Sequence, residues 1–384
     1  MDIKIDEIVK QVLSEIDAPS RPVQPKTTFV LEETPALTGR EVGKTAVLDS
    51  QEDYMIKNYV LPEVGPKEIL VCVEGCMISP SDVTEFLKER RAAGSSAQGQ
   101  EGTGIIVKVG SENLQDAKGN VLKVGDKVIA AKKAGFGGVS TYGGRKANTV
   151  APNGWFANYI VLPAGQQVYQ VNGLDLESRL LITRSISIYT EVERMSKMCK
   201  LDADKTAVVL GCGMEGLLTV AALKTLGINK IIVIDKESEK SRAMEFGAWE
   251  FIGSHGKNGV AGVKDKIRAA GDMADAVFIC TDSPMGRNVA RRFMKNSGSI
   301  CEMGFLCGWR RTPTARYFED SMPAGGRFYA ARDYENCMNF LAKAAEMKLP
   351  LYKLITHRYK LEEINEAMWT VVREEGLGIA VFNR

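Results

Sequence analysis

The chain has 384 residues, 45% of them hydrophobic, and a formal net charge of +2. That length suggests two or three domains with cores of their own, and the near-neutral balance excludes bulk affinity for nucleic acid or an anionic membrane. No apolar run approaches the ~18 residues of a transmembrane helix.

Residues 2–17, DIKIDEIVKQVLSEID, place Ile5, Ile8, Val9, Val12 and Ile16 on one helical face and charged residues on the other. A proline-rich stretch follows, which stops the helix and tethers it. We take 1–18 as a docking or targeting helix and 19–27 as its linker. The acidic polar face argues against a membrane anchor, and the lack of a long apolar core argues against a secretory signal. Such a stripe needs a partner groove to bury it. Residues 28–185 are β-rich, with strands predicted at 68–78, 102–110 and 123–131 between glycine-bearing turns. Helical pattern takes over at about 175–200. Residues 186–335 alternate strand and helix, the strands being AVVLG, IIVID, WEFIG, DAVFICTD and GSICEMGF. This is the pattern of an α/β doubly wound parallel sheet. The tail, 336–384, holds helices and a closing strand, GIAVFN. Eight cysteines are scattered with no C-x-x-C pair, and read as reduced thiols of a cytoplasmic protein.

The clearest chemical signal is Gly211-Cys212-Gly213-Met214-Glu215-Gly216. A β-branched strand precedes it, an apolar helix follows, and a second strand ends on Asp235. Each part of this βαβ unit has a role. Gly211 permits the tight turn, Gly213 lets backbone approach a pyrophosphate, and Gly216 lets helix and strand pack closely. Met214 and Glu215 would offer backbone N–H groups to the phosphates at the helix N-terminus. Asp235 would accept from the ribose hydroxyls and repel a 2′-phosphate, which favours NAD(H) over NADP(H). Lys236 weakens that preference. Cys280 and Thr281, and Gly304 and Phe305, end the fourth and fifth strands at the sheet edge where ligands bind.

Several segments together resemble the medium-chain dehydrogenase/reductase superfamily, which includes zinc alcohol, polyol and threonine dehydrogenases. GQEGTGIIVKVG resembles the family's Gly-His-Glu segment and the strand after it. LKVGDKVIA, GWFANYIVLP and ITHRYKLEEINEAM resemble three further family segments. The resemblance implies a GroES-like β-rich catalytic domain, a Rossmann domain, and a C-terminal return to the first. It also implies a homodimer or homotetramer and places Ser187 near the nicotinamide. Where the family's catalytic zinc takes its ligands, this chain has Ser79 (three residues before Asp82), Gln100 and Thr183. Such donors cannot hold zinc at useful affinity. Residues 130–150 replace the family's four-cysteine structural lobe. An alternative set of Cys76, Glu101 and Asp82 would be irregular. The N-terminal helix resembles the peptides that load enzymes into bacterial microcompartments, with shell or cargo proteins as partners. A helix that packs on its own globule or on an oligomer mate is the competing reading.

Without zinc, hydroxyl or amide donors must stabilise a developing alkoxide. The candidates are Ser79, Gln100 and Thr183, with Asp82 and Glu101 orienting them or relaying a proton, and Tyr189 or Tyr142 as a phenolic acid. Arg184, at a position that is apolar or proline in the family, pairs with an anionic substrate or makes a structural ion pair. Three functions stay open. One is zinc-independent, NAD(H)-dependent interconversion of a small aldehyde or ketone and an alcohol, carried out inside a microcompartment where the N-terminal helix is a cargo tag. The others are reduction of an activated C=C bond, and a catalytically inactive dinucleotide-binding scaffold or sensor.

Overall fold

The structure is a computed structural model. It describes residues 42–50, 52–61, 63–87, 99–130, 154–164, 168–254, 259–271, 273–281, 284–303, 331–373 and 375–382. The expected N-terminal helix and linker, the segment around Tyr142, and Gly304 and Phe305 lie outside the described residues.

Val42–Ser50 (β1) and Asp53–Val60 (β2) pair as an antiparallel hairpin. Glu68–Met77 (β3) is followed by the short helix Pro80–Phe86 (α1), then Glu101–Val109 (β4), Lys127–Ala130 (β5), Tyr159–Pro163 (β6) and Val168–Gln170 (β7). The long helix Leu176–Met198 (α2) leads to Thr206–Leu210 (β8), Met214–Thr225 (α3) and Lys230–Asp235 (β9). Lys240–Glu245 (α4), Glu250–Gly253 (β10), Gly259–Gly271 (α5), Ala274–Ile279 (β11), Pro284–Phe293 (α6) and Met294–Glu302 (β12) come next. The tail contributes Ala331–Glu346 (α7), Ile355–Lys360 (β13), Ile364–Val372 (α8) and Gly378–Phe382 (β14). No helix among the described residues is long and apolar enough to cross a membrane.

The described residues form two compact units. One spans Val23–Ser187, Gly326–Leu341 and Tyr352–Arg384. Its main sheet runs β13-β14-β3-β4-β5-β7, and β6 pairs with β3. Strand β3 is buried at nine of its ten positions, which explains its unbroken apolar run. Its one charged interior residue, Glu74, meets Arg179 of α2, whose Nη2 donates to Oε1 at 3.1 Å and whose Nη1 pairs with Oε2 and donates to Thr103 Oγ1 at 3.2 Å. Under α1, Tyr54 stacks on Phe86 with ring centroids 5.8 Å apart, and Phe86 meets Trp369 edge-on at 5.7 Å. Such pairs add roughly 0.5–1.5 kcal/mol each beyond their burial. One expectation is corrected: the strand predicted at 123–131 is shorter. Lys123–Asp126 form a turn instead, closed by Lys123 N donating to Asp126 Oδ2 at 2.8 Å, with Gly125 at φ +93°.

The other unit spans Ile188–Gly325 and Ala342–Leu351. All five predicted strands are there, in a parallel sheet of order β10-β9-β8-β11-β12. The order reverses at β8, the first strand, which lies between β9 and β11. Helix α3 is buried on nearly every face, from Gly216 to Leu223, so it reads as apolar all round rather than amphipathic. Strand interiors of Val208, Ile232, Val277 and Ile279 pack with Val263, Ile267 and Phe293 from α5 and α6.

Candidate active site

The glycine loop leaves the carboxyl end of β8 at the point where strand order reverses, the place where parallel α/β sheets hold ligands. Gly211 sits at φ +100°, and a Cβ there would lie 2.7 Å from the Cys280 carbonyl oxygen. At Gly216 a Cβ would come within 2.0 Å of the Gly211 carbonyl oxygen. At Gly213 it would meet nothing within 4 Å, so the backbone there faces open space. Gly213 is also the N-cap of α3 and brings no capping side chain to its first turn. The local geometry therefore combines a forced turn, a close packing contact and an open approach to a helix N-terminus.

Asp235 is fixed at the end of β9. Its Oδ2 accepts from Cys212 N at 2.5 Å and its Oδ1 from Lys236 N at 2.6 Å. Each carboxylate oxygen has a second acceptor site. Lys236 reaches Glu239 at 3.8 Å, and Arg242 pairs with the same carboxylate at 2.5 Å, so this cation turns toward an acid of its own chain. Cys212 lies beneath the loop, and burial pushes its thiol up to about 12, with Asp235 adding to the shift. Cys280 is buried with its sulfur 3.5 Å from Thr219 Oγ1, and burial raises its thiol as well. Thr281 is half-buried beside it. Among the described residues seven cysteines are free thiols.

In the β-rich unit, a second set of predicted residues comes together. Ser79 is the N-cap of α1. Its Oγ donates to Asp82 Oδ2 at 2.6 Å, Asp82 N donates to Ser79 Oγ at 3.3 Å, and Ser79 N donates to Asp82 Oδ2 at 2.9 Å. Asp82 Oδ1 accepts from Gly99 N at 3.1 Å, next to Gln100. The Ser-Pro-Ser-Asp segment thus folds as a capping box, and both side chains are almost fully buried. Burial raises the Asp82 carboxyl above its usual range, opposed by its hydrogen bonds to Ser79. It also raises the Cys76 thiol, with Asp82 adding to the effect.

Glu101, the first residue of β4, pairs with Arg184 of α2 at 3.3 Å (Oε2 to Nη2). The same Nη2 donates to the Ile78 carbonyl at 3.3 Å. Thr183 and Gln100 are half-buried, and Ser187 Oγ donates to the Arg184 carbonyl at 3.0 Å. Tyr189, further along α2, is buried and belongs to the parallel-sheet unit. Two contacts escaped sequence reasoning: the Gly99 amide on Asp82 and the Glu74–Arg179 pair. A lone acid inside an apolar strand and a lone base inside an apolar helix were the available signal for the latter.

The donor set does not fit the zinc of similar enzymes. Ser79, Gln100 and Thr183 bring no thiolate, imidazole or carboxylate, and a catalytic zinc takes its protein ligands from those groups. Among the described residues, no three His, Cys, Asp or Glu side chains form a group able to hold a metal ion. Cys76, Asp82 and Glu101 thus do not make the alternative site.

Residues 65–173 match the alcohol dehydrogenase GroES-like domain. The chain is 24% identical over 348 residues to a sorbitol dehydrogenase of Arabidopsis thaliana, covering 85% of this chain and 92% of that protein. It is 23% identical over 367 residues to an L-idonate 5-dehydrogenase of Vitis vinifera, covering 91% and 97%. An alcohol dehydrogenase structure from Thermotoga maritima superposes with a TM-score of 0.74 at 21% identity, covering 89% of this chain and 99% of that one. The fold is a GroES-like β-rich domain with a Rossmann-like parallel sheet. The domain match and the relatives are those of alcohol and polyol dehydrogenases, which this chain resembles at 23–24% identity.

Proposed function

We propose that this chain is a dehydrogenase/reductase that interconverts a small alcohol or polyol and its carbonyl compound, using NAD(H) and no zinc. One observation carries the reading: a forced glycine turn at the switch point of a parallel sheet opens onto a helix N-terminus and leads to a fixed acid, Asp235. When bound, the coenzyme supplies or accepts a hydride at its nicotinamide ring. The residues Gly211, Gly213, Met214, Glu215 and Gly216 cradle its pyrophosphate. Asp235 takes the adenosine ribose hydroxyls and disfavours a 2′-phosphate, while Lys236 is held by Glu239. Ser187 is assigned to the nicotinamide end, Cys280 and Thr281 to the coenzyme at the sheet edge, and Gly304 and Phe305, which lie outside the described residues, to the same edge.

The similarity to a sorbitol dehydrogenase and an L-idonate 5-dehydrogenase supports an alcohol or polyol as substrate. Ser79, Asp82, Gln100, Glu101 and Thr183 supply the polar surroundings of the reacting oxygen, with Ser79 and Asp82 acting chiefly as supports, and Tyr189 of the parallel-sheet unit is kept as a candidate phenolic acid. The misfit of the donor set favours chemistry without a Lewis-acid metal. Reduction of an activated C=C bond is the second reading, because it needs hydride and a proton but no metal. The first 18 residues act as a docking helix for a microcompartment shell or cargo protein, and the enzyme works as a homodimer or homotetramer.

The test is a fluorescence titration of the full chain with NADH and NADPH. Turnover of polyols, ketones and enones follows, with and without a chelator. NADH binding, carbonyl turnover and survival of activity under chelation are expected. No binding of either coenzyme removes the reading, and chelator-sensitive turnover removes its zinc-free part.

A further inference from the structure

The turn after β9 holds a compact set of charges, all within the parallel-sheet unit. Asp235 ends the strand, and Glu239 N donates to the Lys236 carbonyl at 3.0 Å, which curls the chain back toward the glycine loop. The Cys212 thiol then faces the Glu239 carbonyl at 4.0 Å, while Cys212 N donates to Asp235. Asp235 and Glu239 are thus both held against one residue of that loop. Glu239 Oε2 accepts from Arg242 Nη1 at 2.5 Å, and its Oε1 lies 3.8 Å from Lys236 Nζ and accepts from Ser238 Oγ at 3.4 Å. Among the described residues no other acid pairs with either base. Glu237 and Lys240 pair with each other at 3.8 Å, both well exposed, and take no share in this set. The charges of Asp235, Lys236, Glu239 and Arg242 cancel. The acid at their centre lies deepest: its side chain is 10% exposed, against 28% for Lys236 and 35% for Arg242. Stripping so buried a carboxylate of its partners is costly, so both bases are committed to it.

We propose that Glu239 sets the choice of coenzyme by occupying Lys236 and Arg242, the bases that would otherwise serve a phosphate on the 2′ oxygen of the adenosine ribose. This deepens the reading given above and rests on it, since it takes the ribose to lie at Asp235. A phosphate monoester carries about −1.5 to −2 charges near neutral pH. It is bound by bases able to turn toward it, a guanidinium doing so through two parallel hydrogen bonds. Glu239 keeps both bases turned inward. Asp235 rejects the phosphate by direct repulsion. Glu239 rejects it at one remove, through the bases it holds, and is therefore a positioning residue. A lysine directly after the acid of β9 favours NADP(H) by its charge, and the buried glutamate cancels that charge. Releasing the two bases leaves one net positive charge beside the ribose. Loss of Asp235 alone removes the repulsion but supplies no partner for the phosphate, so the two acids act as separate barriers to the same group.

The test titrates the full chain with NADH and with NADPH, followed by fluorescence, and reads the ratio of the two dissociation constants. A purely structural role for Glu239 would weaken both coenzymes together and leave that ratio unmoved. The wild type binds NADH the tighter. Asp235→Asn lowers the preference for NADH, and adding Glu239→Gln moves the ratio a further step of about tenfold toward NADPH, the worth of one charged hydrogen bond to phosphate. Lys236→Met and Arg242→Met, introduced together into that double variant, take the second step away. Where the glutamine variant does not fold, Arg242→Met on the Asp235→Asn background is the reporter: a base held by Glu239 is lost without change in the ratio. A fall in NADPH affinity alone in that variant overturns the proposal. So does a ratio that Glu239→Gln leaves unmoved on the Asp235→Asn background, a gain that survives loss of both bases, or a wild type that prefers NADPH. A wild type that binds neither coenzyme removes the coenzyme reading before any ratio exists, and the two failures are thereby told apart.

Discussion

At Gly213 and Gly216 the same substitution has opposite consequences. A side chain at Gly213 points into open space, whereas one at Gly216 runs into the carbonyl of Gly211. Gly213→Val therefore leaves the melting temperature near that of the wild type and abolishes NADH binding, read by quenching of protein fluorescence. Gly216→Ala destabilises the fold itself, by about 1–3 kcal/mol as an overpacked site does, read by urea unfolding. An unchanged NADH titration in Gly213→Val would remove the cofactor claim. His357 is the titrating residue with a stability consequence. Its ring is buried, with Nδ1 3.0 Å from Thr356 Oγ1, and burial holds its pKa below the usual value, partly offset by Glu375. The folded chain thus keeps this ring neutral while the unfolded chain protonates it at about pH 6.5. Its contribution is complete above that pH and is lost as the pH falls through it. His357→Asn should flatten the fall in melting temperature between pH 7.5 and 5.5; an identical slope in both proteins would refute this.

Helix α1 and helix α2 are tied to the β-rich sheet in different ways. The first is held by a capping box, so Ser79→Ala removes the cap and one partner of the buried Asp82 carboxyl. The expected cost is about 1–2 kcal/mol, measured by denaturant unfolding. The second is pinned by Arg179, only 2% exposed, onto Glu74 and Thr103. Arg179→Met strands a buried carboxylate and destabilises by about 3–5 kcal/mol. The double variant with Glu74→Gln recovers much of that loss. A single-variant cost below about 1 kcal/mol would show that water reaches the pair.

At the scale of the whole molecule, the proposal assigns the coenzyme to the parallel-sheet unit and the reacting oxygen to residues of the β-rich unit. We propose a separate docking role for residues 1–18, because their amphipathic stripe and proline-rich tether set them apart in the sequence. Deleting residues 1–20 is expected to leave melting temperature and turnover intact while abolishing co-purification with shell or cargo proteins. Loss of the fold on deletion would make that helix a structural part instead.

The sequence by itself determined the five parallel strands, the glycine loop and the acid ending β9, because periodicity and turn chemistry are local properties of a chain. The residue types at 79, 100 and 183 were legible there too, since identity needs no coordinates. Local pattern ran out at the strand predicted for 123–131, where Gly125 and Asp126 impose a turn that apolar spacing does not reveal. The partners of Arg184 and Arg179 lay further off. Glu101 precedes Arg184 by 83 positions and Glu74 precedes Arg179 by 105. Only packing of α2 against β3 and β4 decides which acid meets which base, because charges find one another through space and no periodicity within either segment encodes the match.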